Sequence, residues 1–137
     1  MKVRDAMSRT AVTVRLDTSL REAHAVFARS QVDVLAVVGR DESGWMRRVI
    51  GVLTRADLLR TLRRARTRRA LTLLATRDVA DVVRRVRALK SHDSLGAATL
   101  RLLEAGIDAL PVTGPDGSMA GMLSLRDVFS TPLAAAR

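Results

Sequence analysis

Two strings in the sequence place a hydroxyl side chain three residues before a carboxylate, directly after a glycine and a short apolar run. They are Gly51-Val52-Leu53-Thr54-Arg55-Ala56-Asp57 and Gly121-Met122-Leu123-Ser124-Leu125-Arg126-Asp127. At a helix start, such a hydroxyl and the helix N–H groups suit a phosphate, and the carboxylate can accept hydrogen bonds from a diol. The same residues also cap a helix without any ligand, which stabilises it by about 0.5–2 kcal/mol. The sequence leaves both interpretations open.

The residue types that most enzymes need are absent or badly placed. There are no cysteines, which excludes thiolate chemistry and Cys-based zinc sites, and the two histidines, His24 and His92, lie far apart. The string Ser91-His92-Asp93 is typical of a helix start, because adjacent residues cannot converge on one substrate as a triad does. No Walker loop and no G-x-S-x-G string occurs. The sequence therefore predicts that the protein is not an enzyme and requires no metal or cofactor.

The positive charge is concentrated in one segment. The formal net charge is +10, yet residues 58–77 contain seven arginines and no acid, whereas outside them 17 basic residues face 14 acidic ones. Three interpretations stay open: a solvated helix face whose aliphatic stems cover apolar neighbours, a contact with nucleic acid or a ligand polyphosphate, and a contact with an acidic protein partner or second subunit. The only aromatic residues are Phe27, Trp45 and Phe129, so stacking on nucleic-acid bases is disfavoured.

An internal repeat organises the chain. At an offset of 75, Asp17-Thr18-Ser19-Leu20 aligns with His92-Asp93-Ser94-Leu95, and single matches continue at Ala23, Asp33, Leu35, Val37 and Gly39. At an offset of 70, the two strings that end in Asp57 and Asp127 align with each other. The change of offset falls in the predicted loops at residues 40–48 and 115–118, where repeats tolerate a change of length.

Both copies predict the same order of elements. In copy one these are a strand over 11–14, a helix that begins at a Ser19/Glu22 capping box, strands over 32–38 and 49–53, and a helix from Thr54. In copy two they are a strand over 86–89, a helix from Asp93 or Ser94 that a left-handed Gly106 ends, strands over 107–112 and 119–123 around an Asp116-Gly117 turn, and a helix from Ser124.

This arrangement predicts an α/β (α+β) fold of two β-α-β-β-α repeats packed sheet to sheet with pseudo-two-fold symmetry. One such unit cannot cover both faces of its own sheet. The predicted boundaries are residues 1–60 for the first repeat, 61–77 for an arginine-rich inter-repeat helix and 78–137 for the second repeat, as one joint module.

The order of these motifs resembles the cystathionine-β-synthase (CBS) domain, present here as a tandem pair, or Bateman module. The opening Val3-Arg4-Asp5-Ala6-Met7-Ser8 is similar to the V-x-D-x-M-(S/T) start of the family, whereas the opening of copy two, residues 78–83, lacks the Met-Ser pair. The resemblance covers essentially the whole chain.

The resemblance implies clefts between the repeats that bind an adenosine-containing ligand such as AMP, ADP, ATP or S-adenosylmethionine. Asp57 and Asp127 would bind the ribose, and Thr54 and Ser124 the phosphate. Each motif would face early strand segments of the other repeat: Ser124 and Asp127 would face Ala11, Val12, Val32 and Asp33, and Thr54 and Asp57 would face Val86, Arg87, Ile107 and Asp108. Arg55, Arg87 and Arg126 could neutralise phosphates, although a single arginine at a helix start is also an ordinary surface charge.

The leading hypothesis is a regulatory, ligand-sensing homodimer, since CBS pairs commonly associate through their helices. The alternative is a ligand-free interaction module that contacts nucleic acid or an acidic protein partner through the arginine-rich segment, for which a steep fall of affinity with salt would be diagnostic. Without a secretory signal or an apolar run of about 18 residues, the sequence predicts a cytoplasmic protein with no membrane contact.

Overall fold

The computed structural model describes residues 1–40, 47–65 and 67–131, apart from the side chains of residues 40, 47, 67 and 68. The predicted loop over 40–48, with Trp45, falls largely outside this range. The elements run α1 (Val3–Ala6), β1 (Thr13–Arg15), α2 (Leu20–Ser30), β2 (Val34–Arg40), β3 (Arg47–Thr54), α3 (Arg55–Arg63), α4 (Thr67–Thr76), a 3-10 helix (Val79–Asp81), β4 (Arg84–Arg85), β5 (Leu89–Lys90), α5 (Leu95–Ala105), β6 (Ala109–Thr113), β7 (Met119–Ser124) and α6 (Leu125–Phe129).

These elements form two compact units that interleave along the sequence. The first-motif unit comprises residues 12–39 and 50–86, and the second-motif unit comprises the described parts of 1–11, 40–49 and 87–137. Residues 1–11 open the first predicted repeat but belong to the second-motif unit. Residues 78–86 open the second predicted repeat but belong to the first-motif unit. Each unit is named after the motif that it contains: the first motif is Gly51–Asp57, and the second motif is Gly121–Asp127.

Two sheets with matching pairing confirm the mixed α/β class. One has the strand order β1-β2-β3-β4, and the other has the order β5-β6-β7. β1 pairs in parallel with β2 through Val14 and Val37, and β5 pairs in parallel with β6 through Leu89 and Val112. These partners are equivalent at the offset of 75, so the predicted repeat is present in the strand register.

Each unit buries the apolar residues that the repeat aligns. Leu20, Ala23, Leu35, Val37 and Leu53 are buried in the first-motif unit. Their counterparts Leu95, Ala98, Leu110, Val112 and Leu123 are buried in the second-motif unit. Because burial of such side chains is the main favourable term in folding, identical placement of the apolar residues is enough to produce the same unit twice.

The helix starts follow the sequence prediction with one difference. Ser19 and Ser94 are N-caps whose hydroxyl oxygens accept hydrogen bonds from the N–H groups of Glu22 and Ala97. The Glu22 carboxylate lies 3.1 Å from Arg29 and pairs with it, so the predicted Ser19/Glu22 capping box is only half formed. The ion pair is available because Arg29 lies seven residues along the same helix.

Two predicted elements differ from the prediction. The arginine-rich helix predicted over 61–77 is two helices, α3 and α4, and α4 packs against α2. Arginine is a good helix former, so composition alone could not locate this break. The strand predicted over 86–89 was wrong for residues 86–88, which separate two short strands: β4 ends at Arg85 and pairs with β3, and β5 begins at Leu89 and pairs with β6 of the other sheet.

The predicted hairpin turn is also present. Gly117 has a φ of 84°, and Asp116 accepts hydrogen bonds from the hydroxyl and the N–H of Ser118. These two bonds lower the pKa of the Asp116 carboxyl from its usual value. Among the described helices, none combines the length and apolar character that a membrane crossing needs.

The C-terminal caps of α2 and α5 provide a reciprocal test. Gly106 is left-handed as predicted, with a φ of 65°, and Gln31 occupies the equivalent place with a φ of 57°. Since a side chain is disfavoured in this conformation, we expect Gln31→Gly to raise the free energy of unfolding by up to about 1 kcal/mol. Gly106→Gln should lower it by a similar amount. Urea denaturation measures both changes, and equal signs for the two variants would contradict the explanation.

Candidate functional site

Each motif begins with a glycine against which another backbone segment packs closely. Val52 pairs with Arg84 of β4, and Met122 pairs in the same antiparallel way with Ser8. A Cβ atom at Gly51 would meet the carbonyl oxygen of Arg84, and one at Gly121 would meet that of Ser8. Arg84 and Ser8 are therefore structural equivalents, each on the strand segment that lies next to a motif.

The hydroxyl of each motif caps the helix that follows. The Thr54 Oγ1 atom accepts a hydrogen bond from the Asp57 N–H at 3.0 Å, and the Ser124 Oγ atom accepts one from the Asp127 N–H at 3.0 Å. The helix-capping interpretation of these residues is thus confirmed. Because an accepting hydroxyl keeps its own proton, each side chain can still donate one hydrogen bond.

The two aspartates differ in what their carboxylates bind. The Asp127 Oδ2 atom accepts a hydrogen bond from the Ser124 N–H at 2.9 Å, which completes a capping box. The Asp57 Oδ1 atom instead accepts hydrogen bonds from Arg84 Nη2 at 2.9 Å and Arg60 Nη1 at 3.0 Å. Among the described residues, Asp127 pairs with no cationic side chain.

The residue on the neighbouring strand explains this difference. Arg84 is long enough to cross from β4 to the start of α3, where its guanidinium binds Asp57. Ser8, in the equivalent place, lies beside Thr10, with their hydroxyl oxygens 3.2 Å apart. Arg84 was not among the predicted site residues. The signal for it in the sequence is the match of Val79-Ala80-Asp81 with Val3-Arg4-Asp5 at an offset of 76, which places Arg84 opposite Ser8.

Asp33 and Asp108 each lie beside the motif of their own repeat. The carbonyl of Asp33 accepts a hydrogen bond from the Arg55 N–H at 2.8 Å, and that of Asp108 accepts one from the Leu125 N–H at 2.8 Å. Both side chains are exposed. The start of β2 and the start of β6 are thereby each hydrogen-bonded to the residue that follows a motif hydroxyl.

Arg55 makes contacts within the first-motif unit. Its Nη2 atom donates to the carbonyls of Phe27 and Val32 at 3.3 Å, and its guanidinium lies 5.8 Å from the centre of the Phe27 ring. The Nε atom lies 3.6 Å from the Asp33 carboxylate. This arginine therefore connects α3 to the end of α2, and its contact with a phosphate stays a prediction.

The other predicted site residues divide between the two units. The first-motif unit contains Val12, Val32 and Val86, which are all half-buried, whereas the second-motif unit contains a half-buried Ala11, a buried Ile107 and the exposed side chains of Arg87 and Arg126. The Arg87 carbonyl accepts a hydrogen bond from Arg101 Nη2 at 2.7 Å. The pairing of each motif with segments of the other repeat stays a prediction.

The Ser91-His92-Asp93 string, which was predicted to lie at a helix start, forms the turn directly before Ser94, the N-cap of α5. The Asp93 Oδ2 atom accepts a hydrogen bond from the Lys90 N–H at 3.0 Å, His92 is exposed and Ser91 is buried. In copy one, the Thr18 hydroxyl binds the Arg15 N–H at 2.9 Å in the equivalent way. Within the described residues, no group of three or more His, Cys, Asp or Glu side chains could hold a metal ion.

The family model for the CBS domain matches the chain twice, over residues 3–64 and 69–133. The chain belongs to the CBS domain family. The second match includes the 3-10 helix at Val79–Asp81.

Solved CBS structures share the fold. CBSX2, solved in complex with AMP, is 25% identical to this chain with a TM-score of 0.74, over 99% of this chain and 98% of CBSX2. The CBS domain pair of protein MJ0100, solved with 5′-methylthioadenosine and S-adenosylmethionine, is 17% identical with a TM-score of 0.74, over 95% and 98% of the two chains. A CBS domain pair/ACT domain protein from Thermotoga maritima is 23% identical with a TM-score of 0.72, over 98% of both chains.

The close approach at the motif glycines gives a second stability prediction. We expect Gly51→Ala and Gly121→Ala to lower the free energy of unfolding by about 1–3 kcal/mol each, because the new methyl group would force a backbone carbonyl away. Gly96→Ala is the matched control, since Gly96 lies in α5 with open space around it and alanine is the better helix former. Urea denaturation that shows equal changes at all three glycines would contradict the predicted close packing.

The ion pair at the first motif can be measured by a double-mutant cycle. We expect Arg84→Ala and Asp57→Ala to show a coupling free energy of about 1 kcal/mol, because the Asp57 side chain is only 13% exposed. Glu22 and Arg29, an exposed pair, should show less than about 0.5 kcal/mol. A coupling between Arg84 and Asp57 that is no larger than in this control pair would show that the pair does not form in solution.

Proposed function

We propose that this chain is a regulatory module that binds an adenosine-containing ligand, such as AMP, ADP, ATP or S-adenosylmethionine, through the second motif. Family membership supports this proposal, as do two relatives of the same fold that were solved with adenosine compounds, CBSX2 and protein MJ0100. Homodimer formation and a cytoplasmic location stay predictions, and no catalytic step is proposed.

The observation that carries the proposal is the state of the Asp127 carboxylate. One of its oxygens is held by the Ser124 N–H, and no cationic side chain among the described residues competes for the other. A carboxylate held in this way can accept hydrogen bonds from the two hydroxyls of a ribose without first breaking an ion pair. Its position is fixed by its own helix start, so little ordering is needed on binding.

The groups around Asp127 also suit the phosphate of such a ligand. The Ser124 hydroxyl retains a proton to donate, because its oxygen is the acceptor in the capping bond. The exposed Arg126 side chain lies in the first turn of α6, between Ser124 and Asp127 in sequence. A ribose and its phosphate would thus meet a carboxylate, a hydroxyl and a guanidinium within four consecutive residues.

A ligand with these contacts would regulate by changing populations of conformations. Binding favours whichever arrangement of the chain holds the ligand best, and the shift is limited by the difference in affinity between the arrangements. The helix that receives the ligand, α6, contacts both β7 and α5. A change at the second motif would therefore be transmitted to the main helix of the same unit.

The arginine-rich segment supports a second candidate function, an interaction module without a small ligand. The side chains of Arg63, Arg64, Arg69 and Arg77 are exposed, and none of them pairs with a carboxylate among the described residues. Leu59 and Leu71 are exposed on the same two helices, α3 and α4. A polyanionic or acidic partner would find both charge and apolar surface there.

Thermal unfolding with AMP, ADP, ATP, NAD and S-adenosylmethionine tests the proposed function. A ligand that binds only the folded chain stabilises it by about 2.7 kcal/mol at a concentration 100 times its Kd. We expect at least one of these compounds to raise the Tm by several degrees. No response to any of them would contradict the proposal and favour the interaction module.

Two aspartate variants show whether the response depends on the second motif. We expect Asp127→Ala to lose the ligand-induced rise in Tm, whereas Asp81→Ala should keep it. Asp81 is a matched control because its carboxylate also accepts a hydrogen bond from the N-cap N–H, that of Asp78, at 3.2 Å. If both variants lost the response equally, the loss would reflect capping rather than ligand contact.

A further inference from the structure

We infer that Arg84 closes the first motif to an adenosine ligand and limits each chain to one site, at the second motif. This inference rests on the proposed function and identifies which motif performs it. The two motifs are alike in sequence and in backbone, so the difference must come from the side chains that meet them. Two side chains that bind Asp57 differ between the motifs: Arg84 has Ser8 in its place, and Arg60 has Ser130 at the offset of 70. Arg60 is an exposed partner three residues along the same helix, so its contribution is small and Arg84 makes the main difference.

The Asp57 carboxylate is already bound by two cations. Arg84 Nη2 and Arg60 Nη1 both donate to Asp57 Oδ1, at 2.9 and 3.0 Å, and the aspartate side chain is 13% exposed. Hydrogen bonds between two charged groups are roughly twice as strong as neutral ones. The two bonds occupy both lone-pair positions of Oδ1, so a neutral ribose that binds through both carboxylate oxygens would have to displace a bond stronger than the one it forms. The first motif therefore cannot hold a ribose as the second motif can.

The position of the Asp57 carboxylate is also changed. In the second motif the carboxylate points back to the N–H of Ser124, which is its own N-cap residue. In the first motif the Asp57 N–H donates to the Thr54 hydroxyl, but the Asp57 carboxylate does not accept a hydrogen bond from the Thr54 N–H. It accepts hydrogen bonds from Arg84 and Arg60 instead. Arg84 thus both neutralises the carboxylate and holds it away from the orientation that the second motif shows.

The arginine is held in place by its strand. Arg84 and Arg85 form β4, which pairs with Val52 and Gly51 of the first motif. Since a side chain at Gly51 would meet the Arg84 carbonyl, the two strands approach as closely as backbones allow. The guanidinium can therefore reach Asp57 whenever β4 is paired, and the closed state does not depend on a flexible segment.

Replacing Arg84 by the residue found in the other unit tests the inference. With AMP and with S-adenosylmethionine as probes, isothermal titration calorimetry should give one ligand per chain for the unaltered protein and two for Arg84→Ser. Asp127→Ala should lose binding by at least tenfold, and Arg84→Ser with Asp127→Ala should regain one site. Asp57→Ala in the unaltered background should leave binding unchanged.

The neighbouring arginine is the matched control. Arg85 lies on the same strand and is exposed, so Arg85→Ser removes an equal charge without freeing Asp57, and it should keep one ligand per chain. Arg84→Met retains an aliphatic stem without the charge and should behave as Arg84→Ser does. Circular dichroism establishes that each variant is folded, and the methionine variant serves if the serine variant is not.

The outcomes separate this inference from the proposed function. Two ligands on the unaltered chain would overturn the inference and leave the function standing. One ligand that is lost in Asp57→Ala rather than in Asp127→Ala would overturn both the inference and the assignment of the ligand to the second motif. No ligand on the unaltered chain but one on Arg84→Ser would contradict binding at the second motif and support closure of the first. No ligand on either protein would overturn both.

Discussion

The structure depends on a set of main-chain hydrogen bonds that attach an opening segment to each unit. In the first-motif unit, the Val79 and Ala80 N–H groups donate to the carbonyls of Thr18 and Leu16, and the Leu20 N–H donates to the carbonyl of Arg77. In the second-motif unit, Val3, Arg4 and Leu95 make the same three bonds with Asp93, Ser91 and Met1. These bonds place the residue that follows each segment beside a motif. They are backbone interactions, so they form regardless of which side chains follow.

Because the backbone is the same, the chemistry of each motif is decided by single side chains. The attachment brings Arg84 to one motif and Ser8 to the other. An arginine reaches the nearest carboxylate and forms an ion pair, whereas a serine makes only a local contact with Thr10. Among the described residues, the duplicated fold thus contains one motif whose aspartate binds arginines and one whose aspartate does not. Duplication provides two equivalent positions, and the difference between Arg84 and Ser8 gives the two aspartates different partners.

The sequence predicted the elements well where local signals exist. The Ser19 and Ser94 caps, the left-handed Gly106 and the apolar residues aligned by the repeat are all where the sequence placed them. It did not predict the break between α3 and α4, because arginine favours helix on both sides of the break. Nor did it predict the left-handed Gln31, since glutamine carries no signal for that conformation.

The sequence by itself determined the repeated α/β unit, the family resemblance and the two motifs, since these depend on apolar periodicity, caps and glycines that lie close together along the chain. Only the tertiary structure decided which opening segment joins which motif, and hence that Asp57 is bound by Arg84 and Arg60 while Asp127 binds the N–H of Ser124. Arg84 and Asp57 are 27 residues apart in sequence. No local preference connects them. They meet because backbone hydrogen bonds pair β4 with β3, and because an arginine side chain is long enough to extend from β4 to Asp57.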